Sequence, residues 1–227
     1  MRKISDYINV VSPDMRSFSQ AVSHVADSVP LNPLAYHPSL AAGVGMIQSE
    51  AVGSSTSTAM PVHIYIPAGT HILTAPITIN RHNVTLTVDG GARLVPPSNQ
   101  AAIVCDPTGT PEGYNKGWQL FMNGGIWGTV SGASQHGIVF DDCIHGCAYI
   151  NEIRALGGSG MVFDGSNFSN HIYFNRIHGV AGWGINSTGV NNHNAQVLLG
   201  EIQSSTLGGA NLWRWTDSDV NLRIENM

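Results

Sequence analysis

The chain of 227 residues carries 10 Lys plus Arg against 15 Asp plus Glu, a formal net charge of −5, with no basic cluster, which excludes a nucleic-acid surface. Charged residues are 11% of the total, against roughly 25% in an average globular chain, so solubility rests on Asn, Ser, Thr and 26 glycines, while 42% apolar content supplies one buried core. No run approaches membrane-spanning length, and the start "MRKISDYINVVSPDMRSF" has no apolar segment behind its basic residues, so neither membrane insertion nor a secretory leader is expected and synthesis in a cytoplasm is.

The first unit, residues 1–29, reads as a strand and a short helix. Ser12 can cap the helix and Pro13 suits its first turn, while Met15, Phe18, Val22, Val25 and Val29 fall on one face at three- and four-residue steps. Ahead of a stack of coils, such a helix would cover the open apolar end. Residues 30–61, with "AVGSSTSTAM", lose periodicity and read as an irregular insert. From residue 62 onward, "VHIYIPAGTHILTAPITIN" and "NVTLTVDGGARLVPP" read as strands separated by turn residues.

Three later stretches repeat one pattern. Ile138, Met161 and Ile185 align at periods of 23 and 24 residues, inside the range of a solenoid. Each period holds an apolar strand, a polar loop, a second apolar strand, a bend and a Gly-rich corner. In the second strand Ala148/Ile150, Ile172/Phe174 and Val197/Leu199 are expected inside, with Tyr149, Tyr173 and Leu198 outside. The bend carries Asn151, Asn175 and Gly200, residues that enter the left-handed region cheaply. Glu152, Arg176 and Glu201 follow it and would stack at roughly 5 Å as a column of alternating charge. In the first strand Val139 and Val162 point out, with Asn186 next in line, an apolar stripe suited to a neighbouring chain. The fourth coil leaves two registers open, with Ala210 and Leu212 or Asn211 and Trp213 facing inward. The end, "NLRIENM", continues the pattern and stops within a coil, so the expectation is a truncated or short chain, or one closed by assembly.

Cys105, Cys143 and Cys147 read as buried thiols, since "CIHGC" has no second cysteine pair to complete a zinc site. The ten histidines, among them His136, His145, His171 and His178, show no metal spacing and read mostly as solvated turn residues. Neither a metal nor a cofactor is expected.

The segment "IYIPAGTHILTAPITI", preceded by "SFSQAVSHVAD" and followed by "NVTLTVDGGARLV", resembles the start of the pectate-lyase-like right-handed parallel β-helix. That family includes bacterial polysaccharide lyases, glycoside hydrolases and bacteriophage tailspikes. The resemblance implies an all-β, right-handed, single-stranded parallel β-helix over 62–227 with an N-terminal capping helix. It also implies a virion (phage tail) location, a homotrimer or larger assembly, and recognition of a bacterial surface polysaccharide. Depolymerisation by glycosidase or lyase chemistry stays open. The alternative is a non-catalytic structural, assembly or adhesion module.

Polysaccharide hydrolysis needs two carboxyl groups, one of them an acid. In "FDDCIHG", Asp141, Asp142 and Cys143 match the Asp-Asp-Cys run of the polygalacturonase-type hydrolases, and Asp164 stands one coil later. Asp141, Asp142 and Asp164 are therefore the catalytic candidates. The favoured alternative is a structural reading in which Asp141 and Asp164 end strands and bond backbone amides two residues on. His145 joins them as a substrate-binding candidate, with Trp127, Trp183 and Trp215, whose indoles could stack on a sugar or pack over the coil corners.

Overall fold

A computed structural model describes residues 62–80, 82, 84–106, 115–188, 191–203, 211–214 and 219–224. The expected capping helix, the insert of 30–61, Trp215 and the final three residues lie outside them.

Among the described residues the fold is all-β, a stack of coils whose strands pair in parallel with their equivalents one coil on. One six-stranded sheet holds β3 (Ile77–Ile79), β6 (Ile103–Cys105), β9 (Ile138–Asp141), β12 (Met161–Asp164), β15 (Trp183–Ser187) and β17 (Asn211–Arg214). The other sheet, of 12 strands, wraps the remaining sides. Its first face runs through β1 (Val62–Ile66), β4 (Val84–Val88), β8 (Gln119–Trp127), β11 (Cys147–Arg154), β14 (His171–His178), β16 (Asn191–Gln203) and β18 (Asp219–Ile224). The second face takes β2 (Gly69–Ile72), β5 (Ala92–Val95) and the far ends of the long strands. The short β7 (Asn115–Lys116), β10 (Cys143–Ile144) and β13 (Ser166–Phe168) link the six-stranded sheet to the first face.

The expected alignment holds residue by residue. Met161 pairs with Ile138 on one side and Ile185 on the other; Ile172 pairs with Ala148 and Val197, and Val197 with Leu222. Ala148, Ile150, Ile172 and Phe174 are buried, while Tyr149 and Tyr173 are exposed. The fourth coil takes the phase of the second alternative, with Asn211 opposite Trp183 and Trp213 opposite Ile185, at a longer period of 28 residues. Inside, Trp118, Phe140 and Phe163 line up with successive ring centroids 5.1 Å apart, all fully buried.

The bend between the first and second faces falls where the asparagines stand: β4 and β5 pair with β8 on either side of residues 123–124, and Asn151 and Asn175 lie at the same point, between the buried Ile150 and Ile153 and between the buried Phe174 and Ile177. Asn151 and Asn175 lie within continuous strands, and neither has positive φ. They form a ladder instead: Asn175 donates to Asn151 Oδ1 at 3.2 Å, and Asn151 donates to the carbonyl of Asn123 at 3.0 Å. The left-handed residues stack at three corners of the coil. Asp142 (φ 45°) lies beside Gly165 (61°); His145 (50°) lies between Gly117 (68°) and Ser169 (51°); Ala155 (55°) lies beside Gly179 (64°). Closing the coil forces these conformations, whatever residue is present.

Two buried asparagines sew the corner between β10 and β11. Asn167 accepts from Cys143 N–H at 3.1 Å and donates to Asp164 O at 2.6 Å; Asn170 accepts from Gly146 N–H at 3.0 Å and donates to Cys143 O at 2.7 Å. His145 and His171 are exposed, as the solvated reading expects, whereas His71 and His82 are buried and His136 Nδ1 accepts the Ser159 N–H at 2.9 Å. Cys105 and Cys143 are buried free thiols, and Cys147 is partly exposed. The outward stripe is also more covered than expected, since Val162 is only 7% exposed, which weakens it as a docking surface.

Gly146 is a close-approach position, because a Cβ there would overlap the buried indole of Trp118. Gly146→Ala is expected to lower stability by about 1–3 kcal/mol through overpacking. Gly90→Ala, whose Cβ would meet nothing nearer than 4.0 Å, should stay within about 0.5 kcal/mol. Urea midpoints of the two variants check the contrast.

Candidate functional site

Three successive strands of the six-stranded sheet, β6, β9 and β12, lead into an acidic corner. β9 closes with Asp141 and β12 with Asp164, paired in register, and Asp106 follows Cys105 one coil earlier. Asp142 comes next and turns the chain in the left-handed conformation. Its Oδ1 accepts the Ser166 N–H at 2.5 Å, while Asp164 Oδ1 accepts the Gly165 N–H at 3.0 Å and the Thr188 hydroxyl at 3.3 Å. Asp142 and Asp164 are thus occupied as turn formers. The carboxyl of Asp141 takes no hydrogen bond among the described residues.

A Cβ built on Gly165 would lie 2.6 Å from Asp141 Oδ1 and 2.5 Å from Asp142 Oδ1. The two oxygens are therefore no farther apart than the sum of those distances, and Gly165 leaves the space between them open. Burial, and then the charges of Asp142, Asp164 and Asp106, push Asp141 up from 3.8 to about 6. A carboxyl held protonated into that range can deliver a proton to a leaving oxygen.

His145 stands at the next corner beside a cavity of about 420 Å³, which it lines with Trp118, Gln119, Cys147 and His171. Burial pushes the Cys147 thiol up, so it stays protonated. Among the described residues no group of three His, Cys, Asp or Glu is arranged to hold a metal.

Trp127 and Trp183 stand apart from both. Trp127 ends β8 on the second face, with the Arg154 guanidinium 3.4 Å and the Arg93 guanidinium 4.6 Å from its ring. Its indole N–H donates to Glu152 at 2.7 Å, and Glu152 also takes His178 Nε2 at 3.1 Å and lies 3.7 Å from Arg154 Nε. Burial would raise the Glu152 pKa, but His178, Arg154 and Trp127 together hold it below the usual value. Arg176 pairs with Glu201 at 2.9 Å, so the charge column is in register while only its upper half forms the expected pair. Trp183, half-buried at the start of β15, donates its backbone N–H to Ser159 Oγ at 3.2 Å. The predicted residues thus occupy separate corners.

One feature the sequence reading placed outside but did not count as a site is the column Phe121, Tyr149 and Tyr173, which pair in register and are 37%, 46% and 43% exposed. The alternation that turned Tyr149 and Tyr173 outward was the available signal.

No family model matches the chain, and no curated protein matches it. A solved structure, ORF18 of Geobacillus virus E2, is similar with a TM-score of 0.52 and 15% identity, over 82% of this chain and 44% of that one. The shared class is a parallel β-solenoid. The particular neighbour is a phage protein, of which this chain spans less than half the length.

Because Asp141 binds its proton more tightly folded than unfolded, its contribution to stability is complete below about pH 3.8 and is lost as pH rises through about 6. Asp141→Asn should remove that part of the decline and be more stable than the parent at neutral pH. Urea midpoints taken across this range test it, and parallel profiles for the two proteins would contradict it.

Proposed function

We propose that the chain is a phage tailspike-like β-helix that recognises a bacterial surface polysaccharide. The observation that carries this reading is the exposed column Phe121, Tyr149 and Tyr173, one ring per rung on a parallel face. Aromatic rings left facing water are a cost to the free protein, and a ligand whose apolar faces stack on them recovers it. Pyranose rings have such faces, with hydroxyls at their edges for the flanking polar groups. The phage source of a structure with this fold supports the virion context, as does the resemblance of "IYIPAG" to the pectate-lyase-like family. Assembly as a homotrimer belongs to the same proposal.

Capture of encapsulated host-type cells, or of polysaccharide extracted from them, should fall at least tenfold in Tyr149→Ser/Tyr173→Ser, with the native mass by light scattering unchanged. A change of mass with capture retained would favour the alternative, an assembly module using this face.

Cleavage is the second reading, favoured by Asp141: its carboxyl is free of hydrogen bonds, and it is raised to about 6 beside other carboxylates. Asp141 is assigned the acid role and Asp164 the neighbouring carboxylate. Asp141→Asn is expected to abolish release of reducing ends while leaving capture within about twofold; unchanged release would remove Asp141 from the mechanism.

A further inference from the structure

We infer that the cavity beside His145, at the corner where the first face begins, is a subsite for an uncharged hexose unit branching from a glycan that lies on the aromatic column. This inference rests on the glycan reading above. Gln119, Cys147 and His171 pair in register and line the cavity. They stand two residues before Phe121, Tyr149 and Tyr173 on the same strands, with the buried Leu120, Ala148 and Ile172 between. Alternation along each strand turns both columns to the same outer surface, side by side at about 7 Å.

The layout of that surface limits what can fill the cavity. The rings follow one another from coil to coil, whereas the cavity lies across the strands from them. A glycan chain following the rings at about 4.8 Å per coil reaches it only through a substituent. At about 420 Å³ the cavity falls within the roughly 300–1,000 Å³ of small-ligand sites. A hydroxyl alone would leave it mostly empty; a sugar ring would not.

The lining selects the class of sugar. Among the described side chains no Asp, Glu, Lys or Arg lines the cavity. Gln119 and His171 come to it from the strands, and His145 and Ser169, both in left-handed backbone, come from the corner. Amide, hydroxyl and neutral imidazole groups each offer a donor and an acceptor, as sugar hydroxyls do, whereas a carboxylate only accepts and an ammonium only donates. Gln119 Oε1 already accepts the Thr85 hydroxyl at 3.3 Å, which leaves its amide nitrogen to donate.

Cys147 lines the cavity and is partly exposed, while Cys105 and Cys143, the other cysteines of the chain, are buried. The rate at which a small uncharged reagent, methyl methanethiosulfonate, modifies Cys147 therefore measures occupancy. With the full chain, D-glucose, D-galactose and D-mannose would each be titrated while modification of Cys147 is followed by peptide mass. At least one hexose is expected to slow it saturably, at least fivefold, with D-glucuronate at equal concentration slowing it less than twofold. Gln119→Ala should raise the half-protecting concentration at least fivefold, and the polysaccharide that the chain captures should protect Cys147 as well. Protection by none of the three hexoses, equal protection by glucuronate, an unchanged half-protecting concentration in Gln119→Ala, or capture of polysaccharide without protection would each overturn the subsite. If Tyr149→Ser/Tyr173→Ser still loses capture in that event, the subsite alone fails. Capture that survives the double substitution would sink the glycan reading itself, whatever the state of Cys147.

Discussion

Every strand among the described residues is hydrogen-bonded to its own equivalent one coil away, so each of their residues stands on the one that plays the same part in the previous turn. Parallel pairing at about 4.8 Å converts the sequence into columns, and a column multiplies whatever chemistry its members share. Stacking Phe140 on Phe163, or Asn175 on Asn151, adds favourable contacts at each step. Repeating Asp106, Asp141 and Asp164 gathers like charge that, added to burial, pushes the Asp141 carboxyl up to about 6. The acidic corner and the aromatic column are products of the same repetition.

The apolar repeat was legible because burial needs only the right period and the right face. Ile138, Met161 and Ile185 fall opposite each other, as do Ala148, Ile172 and Val197. The position of the bend between the two faces was legible as well, but its backbone conformation was not. Asn tolerates left-handed backbone and also forms side-chain ladders, and Asn151 and Asn175 do the second. The left-handed corners that stack in register carry Asp, Gly, His, Ser and Ala, a mixture with no local signature, because ring closure and not residue preference sets them.

Side-chain partners were harder still. Register fixed Glu152 opposite Arg176, yet Glu152 turns to Trp127, Arg154 and His178. Pairing of Cα atoms leaves long side chains several neighbours within reach, and the space opened by Gly125 decided the choice. Residues 123–127, "NGGIW", carry two glycines inside a strand. In the structure the first glycine of that run passes beside the backbone of Ala92, and the second makes room for an indole. Of the candidate catalytic residues, the sequence indicated their proximity; which were already occupied by backbone N–H groups required the geometry.

The coils differ in length while their faces stay in register. Ile103 and Ile138 are 35 residues apart, whereas Met161 and Ile185 are 24 apart. Closing the longer loop costs only about 0.3 kcal/mol more, since the penalty grows with the logarithm of length. Chain can therefore be gained at the corners of this solenoid at almost no expense to the stack, which makes the corners, and not the faces, the places where such a scaffold can acquire new surface loops without losing its fold.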